Sequence, residues 1–275
     1  MFRITTETLS LPFPGTQIGW KGFDVGKDGN WLAILQTETG LKLRSEVGEV
    51  ALPVPLSFAI VRCLGDLALV VAARIERQGE VNAWIMETET GRVRHAFSVG
   101  DGVQDVLVLA DFIVISYFDE GVFSGIMPSH EGLAFFDRQG TYLWGYVTGI
   151  TDSVDVSDCY AMCHAGRNHV AFCAYTTFSL VVLDISRREQ SVVPTPQQLH
   201  GCGAITTRGD GFLFRGPYPD DADYKKPRDS VFAFDAVSGE ATLIGTLPGQ
   251  QVRGLSNGRM LCVDGDDVVI ASFTR

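Results

Sequence analysis

The chain has 275 residues, 45% apolar and 20% charged, the balance of a folded globular protein long enough for a sizeable core. Its net charge of −11, with 22 Lys and Arg against 33 Asp and Glu, leaves no basic stripe for a phosphate backbone, so no nucleic acid partner is expected. No apolar run reaches the roughly 18 residues that a membrane span needs, and MFRITTETLSLPFPG lacks the basic and apolar regions of a secretion signal, so a cytoplasmic chain without membrane contact is expected.

Helical periodicity is scarce, and short apolar runs broken by Gly, Asp and Asn predict an all-β protein. The N-terminal FRITTETLSL (2–11) reads as a strand without a neighbour of its own. Then IGWKGFDV, NWLAILQ and the hairpin LKLRSEVGEVAL make four strands over 17–54. SFAIVRC, LALVVAARI and AWIMETETGRVRHAF repeat the plan over 57–98, and QDVLVLA, FIVISYF and LAFFDRQGTYLWGY over 104–147. CYAMCHA, HVAFCAY and LVVLDISRREQSVV follow over 159–194, and CGAITTR, GFLFR and VFAFDAVSGEATLI over 201–247. The last three strands, VRGLSN, RMLCVD and DVVIASF, fill 251–275.

Gly48, Gly91, Gly140 and Gly239 sit in the closing hairpins, where a tight turn needs positive φ. Arg187 and Arg188 hold that place in the fourth copy, which should use another geometry. The copies recur at roughly 43 to 51 residues, the range of four-stranded propeller blades. The expectation is one six-bladed β-propeller domain over 1–275, closed by residues 2–11 as the outer strand of the last blade. The rivals are a seven-bladed propeller with an irregular blade and a pair of β-sandwiches.

With strands a to d counted outward, the b–c loops and d–a connections share one face. Three long segments fall there: 119–131, 148–158 and 216–229, with a combined net charge of about −7. Asp119, Glu120, Phe123, His130, Glu131, Asp152, Asp155, Asp158, Tyr218, Asp220, Asp221, Asp223 and Tyr224 are therefore the candidate binding residues. Rigid aromatics among charges suit a protein-binding surface.

No cofactor is expected. Asp119, Glu120, Asp155 and Asp158 are candidates for a divalent cation, though the three-residue steps of Asp152, Asp155 and Asp158 in DSVDVSD are not those of a calcium loop. The six cysteines lie in apolar runs and read as buried reduced thiols, though a pairing of Cys159 or Cys163 with His130, His164 or His200 is conceivable. No motif of a serine hydrolase, zinc protease or phosphate loop is present.

The stretches ISYFDEGVF, EGLAFFDRQGTYLWGY and DCYAMCHAG resemble uncharacterised propeller-like bacterial proteins over residues 105–185. The resemblance implies the same fold and a bacterial cytoplasmic setting, and carries no activity. The functional expectation is a binding module, more so than an enzyme, holding a protein or small molecule on its acidic face, with a basic protein as the electrostatic match. The alternatives are a hydrolase or lyase with carboxylates and a metal at the channel mouth, and a structural protein without a ligand.

Overall fold

Runs of branched and aromatic residues between Gly- and Asp-containing turns fold into short antiparallel strands. The computed structural model describes residues 3–9, 20–54, 56–218, 228–264 and 267–274. Its first strand is β1 (Arg3–Leu9). Blade one contains β2 (Trp20–Val25), β3 (Trp31–Thr37), β4 (Gly40–Ser45) and β5 (Gly48–Ala51). Blade two contains β6 (Ala59–Leu64), β7 (Leu67–Ala72), β8 (Ala83–Glu87) and β9 (Val93–Phe97). Blade three contains β10 (Val103–Val108), β11 (Ile113–Tyr117), β12 (Leu133–Phe136) and β13 (Tyr142–Gly145), with the one-turn helices α1 (Asp119–Val122) and α2 (Tyr146–Gly149) beside it.

Blade four contains β14 (Val156–His164), β15 (His169–Thr176), β16 (Leu180–Asp184) and β17 (Glu189–Val193). Blade five contains β18 (Ala204–Arg208), β19 (Gly211–Arg215), β20 (Ser230–Phe234) and β21 (Ala241–Thr246). The last sheet runs β22 (Gln250–Gly254), β23 (Arg259–Asp264), β24 (Asp267–Thr274) and then β1. β1 pairs antiparallel with β24 from Arg3–Thr274 to Leu9–Val268. The fold is a six-bladed β-propeller of four-stranded antiparallel sheets whose last blade takes its outer strand from the N-terminal segment.

Two compact units divide the chain: blades one to three within 13–151, and blades four to six with β1 within 152–275 and 1–12. In each unit the cores lie between successive blades. Ile34 and Leu43 of blade one meet Val61, Val70 and Trp84 of blade two, while Leu69 and Ile85 meet Val106, Ile115 and Phe136 of blade three. In the other unit Cys163 and Ala171 pack with Ile205, Phe214 and Phe234, and Leu213 and Val231 pack with Met260 and Phe273. A second strand such as β7, LALVVA, is buried almost throughout because a blade covers each side; the outer β9, VRHAF, is mostly exposed.

Buried arginines tie neighbouring blades. Arg62 donates to the Val106 carbonyl at 2.6 Å and to the Asp105 carboxylate. Arg215 donates to the carbonyls of Leu247 and Gly249 and to Asp229 at 2.9 Å. The fourth hairpin reaches a left-handed turn without glycine, since Arg188 itself adopts φ 57°. All six cysteines are free thiols, and all but Cys63 are buried.

Candidate functional site

Consider first the long loop of blade three, between β11 and β12. It folds tightly on its own unit. Gly102 has φ +67°, and a Cβ there would lie 2.3 Å from the Gly121 Cα, so α1 seats backbone to backbone on the preceding connection. Phe118 N–H donates to the Gly102 carbonyl at 3.0 Å. The side-chain amide of Gln78 closes the far end, accepting from Met127 N–H at 2.7 Å and donating to the Met127 carbonyl at 3.2 Å.

The loop spends most of its polar groups internally. Glu131 is only 1% exposed, and its carboxylate accepts from Thr148 N–H at 2.9 Å and Thr148 Oγ1 at 2.8 Å. His130 Nε2 lies 3.2 Å from the same carboxylate. Ser129 is buried and accepts from Asp101 N–H at 2.8 Å. Glu120 pairs with Arg74, which also reaches the buried Asp101 at 3.0 Å and lies 5.5 Å from the Phe118 ring centroid. Asp119 accepts from Glu120 N–H at 2.7 Å in the first turn of α1. Phe123 is left outward, 73% exposed, as is Met127.

The unit of blades four to six carries a different surface. Tyr160 on β14, Tyr175 at the end of β15, Phe178 in the following turn, His200 in the connection to β18 and Tyr218 after β19 form one aromatic cluster. Tyr160 and Tyr218 share a hydroxyl–hydroxyl hydrogen bond of 2.7 Å. Phe178 stacks on His200 with centroids 4.3 Å apart and planes 6° from parallel. Tyr175 meets Phe178 edge-on at 5.3 Å, and Tyr160 lies 5.5 Å from Tyr175.

The backbone holds these rings in place. Tyr218 N–H donates to the His200 carbonyl at 2.8 Å, and the Tyr218 ring packs where a side chain on Gly201 would stand. Thr195 Oγ1 donates to the Phe178 carbonyl at 2.6 Å. Phe178 adopts φ 55°, a left-handed conformation unusual for a bulky residue and held here by packing on both sides. Arg228 lies 5.0 Å from the Tyr218 ring centroid and donates to the Gly216 carbonyl at 2.8 Å. Burial, then the bond to Tyr218, pushes the Tyr160 phenol well above its ordinary range, so it stays a neutral hydroxyl. Tyr175 and Tyr218 remain 37% and 40% exposed.

Of the residues expected from sequence, Tyr218 belongs to this cluster. Asp155 stands beside β14 and accepts from Ser157 Oγ at 3.0 Å and Thr176 Oγ1 at 3.4 Å. Asp158 is half-buried on β14, and Asp152 is exposed with φ 55°. Asp119, Glu120, Phe123, His130 and Glu131 belong to the other unit, and Asp220, Asp221, Asp223 and Tyr224 lie outside the described residues. Tyr160, Tyr175, Phe178 and Arg228 were missed as contact residues. Tyr175 and Phe178 share a positional signal, lying at or just beyond the end of β15, whereas Tyr160 stands in the middle of β14 and carries no such signal.

The thiols are poorly placed for nucleophilic work. Burial pushes Cys163 and Cys173 well above the ordinary thiol range, and the Cys173 and Cys202 sulfurs lie 3.2 Å apart inside the core. Among the described residues no group of three or more His, Cys, Asp or Glu is arranged to hold a metal ion. No helix among them is long and apolar enough to cross a membrane.

The fold defines a propeller protein, and comparison with solved structures agrees. Virginiamycin B lyase from Staphylococcus aureus aligns over 99% of both chains at 9% identity and a TM-score of 0.54. The RRP9 WD40 repeats align over 98% of this chain and 97% of theirs, at 9% identity and a TM-score of 0.56. Kluyveromyces lactis Hsv2 aligns over 90% of this chain and 72% of its own, at 10% identity and a TM-score of 0.54. At such identities the likeness is one of fold alone. No protein-family model and no curated protein sequence matches the chain.

Proposed function

We propose that the chain is a binding module that engages a protein partner through the aromatic cluster of blades four and five. The carrying observation is that five aromatic side chains from separate segments are locked together while Tyr175 and Tyr218 remain more than a third exposed. Rigid tyrosines give large contact area at low entropic cost, and contact hot spots are enriched in them. Asp155 and Asp158 beside the cluster, in a chain of net charge −11, favour a basic segment of the partner. The free thiols fit a reducing, cytoplasmic setting.

The hydrolase or lyase reading has no observation of its own to favour it. Glu131 is committed to Thr148 and Glu120 to Arg74, so these carboxylates are engaged within the fold.

The test uses a partner captured by affinity purification, with Kd measured for the native chain, Tyr175→Ala, Tyr218→Ala and the control Val237→Ser. Val237 is 95% exposed, beyond β20. The two tyrosine variants should weaken binding at least tenfold and the control should not. An unchanged Kd in both tyrosine variants would overturn the proposal.

A further inference from the structure

Two thiols meet behind the aromatic cluster. Cys173 stands on β15 two residues before Tyr175, and Cys202 stands in the connection to β18 two residues after His200. The Cys202 thiol donates to the Cys173 sulfur at 3.2 Å, across 29 positions of sequence. Burial holds the Cys173 thiol protonated, so the two sulfurs meet without charge repulsion.

The pair lies just beneath the surface. Cys202 is 2% and Cys173 4% exposed, but Gly203 is exposed, and a side chain there would meet nothing within 4 Å. Glycine on each side of Cys202 leaves its backbone freer than other residues would, and Gly201 already adopts φ +71°. The stretch is held closed by Tyr218 N–H on the His200 carbonyl at 2.8 Å, Gly203 N–H on the Arg215 carbonyl at 2.9 Å, and the Arg228 guanidinium on the Gly201 carbonyl. The first and last of these bonds come from residues of the aromatic cluster and its flank.

We infer that Cys173 and Cys202 form a reversible disulfide under a hydroperoxide, and that this disulfide and partner binding at the aromatic cluster oppose one another. The disulfide stands on the thiols alone; the coupling rests on the binding role proposed above. Disulfides in a reducing compartment are usually transient and redox-sensing. Local opening of residues 201–203 brings the Cys202 thiol to water, where it ionises. The thiolate attacks the terminal peroxide oxygen, the O–O bond breaks, and the departing alkoxide or hydroxide takes up the proton, leaving a sulfenic acid. On reclosure the Cys173 sulfur attacks the Cys202 sulfur. The S–O bond breaks, and the oxygen leaves as water with the Cys173 proton. The thiols lose two electrons and the peroxide gains them. An S–S bond of about 2.0 Å draws residues 200–203 towards β15, away from the positions that seat His200 on Phe178 and Tyr218 on the His200 carbonyl. A bound partner, resting on those rings, holds the stretch closed and keeps peroxide out.

Tryptic peptides 168–187 and 189–208 each contain one cysteine, Cys173 and Cys202. After treatment of the native chain with hydrogen peroxide, non-reducing mass spectrometry should find the two peptides joined with loss of two hydrogens, and dithiothreitol should separate them. Cys262→Ala, in blade six, should leave the joined pair unchanged. The oxidised chain should bind the captured partner about fivefold more weakly than the reduced chain, and saturating partner should slow oxidation about as much. Absence of the joined peptides, or over-oxidation of Cys202 without them, would overturn the disulfide. An unchanged Kd for the fully joined chain would overturn the coupling, whereas an unchanged Kd in Tyr175→Ala and Tyr218→Ala would overturn the binding role instead.

Discussion

The blade-three loop and the aromatic cluster of blades four and five use polar sequence in opposite ways. The loop contains three carboxylates and a histidine, yet most of its polar groups already have partners: the buried Glu131 fastens α2, Ser129 fastens the preceding connection, and Glu120, though exposed, pairs with Arg74. The cluster contains tyrosines that the core could have absorbed, as it absorbed Tyr117, but two of them stay at the surface. A long polar loop is therefore no measure of an available surface. What matters is whether its groups already have partners, and on that criterion the cluster is the more available region.

The largest expected effect lies in the loop. Glu131→Ala removes a buried carboxylate and the two hydrogen bonds it accepts from Thr148, and should cost about 1.5–3 kcal/mol of stability, read from the urea midpoint. A loss below about 0.5 kcal/mol would place Glu131 among freely solvated groups and break the contrast. Tyr175→Ala and Tyr218→Ala should do the reverse, costing about 1 kcal/mol of stability while lowering partner affinity at least tenfold.

A pH titration sharpens the same difference. Burial raises the phenol pKa of Tyr117 and of Tyr160, so the folded chain keeps these protons to higher pH than the unfolded chain does. Above the ordinary tyrosine value of about 10 the unfolded state binds fewer protons, and stability should fall as pH rises. Tyr160→Phe should flatten part of that fall between pH 9 and pH 11, and an identical slope would show that Tyr160 is freely solvated. The smallest effect belongs to Glu120→Gln, whose partner Arg74 is partly exposed and keeps Asp101; the change should stay within about 0.5 kcal/mol.

The blades were legible in the sequence because each is a local object. A strand of alternating or continuous apolar residues, a polar turn and a second strand are read within about 15 residues, and their recurrence exposes the repeat. The orphan N-terminal strand could be matched to β24 because the last blade lacked an outer partner. The fourth hairpin was legible as a hairpin, but not the ability of Arg188 to take the left-handed turn.

The aromatic cluster was legible only through Tyr218, the one of its rings that falls inside a long loop. Tyr160 looks like an ordinary mid-strand aromatic and Tyr175 and Phe178 like strand-end ones, and only the stacking of blade four beside blade five brings them to Tyr218. The burial of Glu131 was hidden for the opposite reason. A glutamate in a polar loop reads as solvated, and its partner, Thr148, stands 17 positions away beyond a hairpin.

Hydrogen-exchange footprinting of the partner complex tests the account most directly. Residues 174–179 and 199–204, the segments that carry Tyr175, Phe178 and His200, should gain protection on binding, while residues 118–127 of the blade-three loop should not. Protection confined to 118–127, with none at 174–179 or 199–204, would contradict the account.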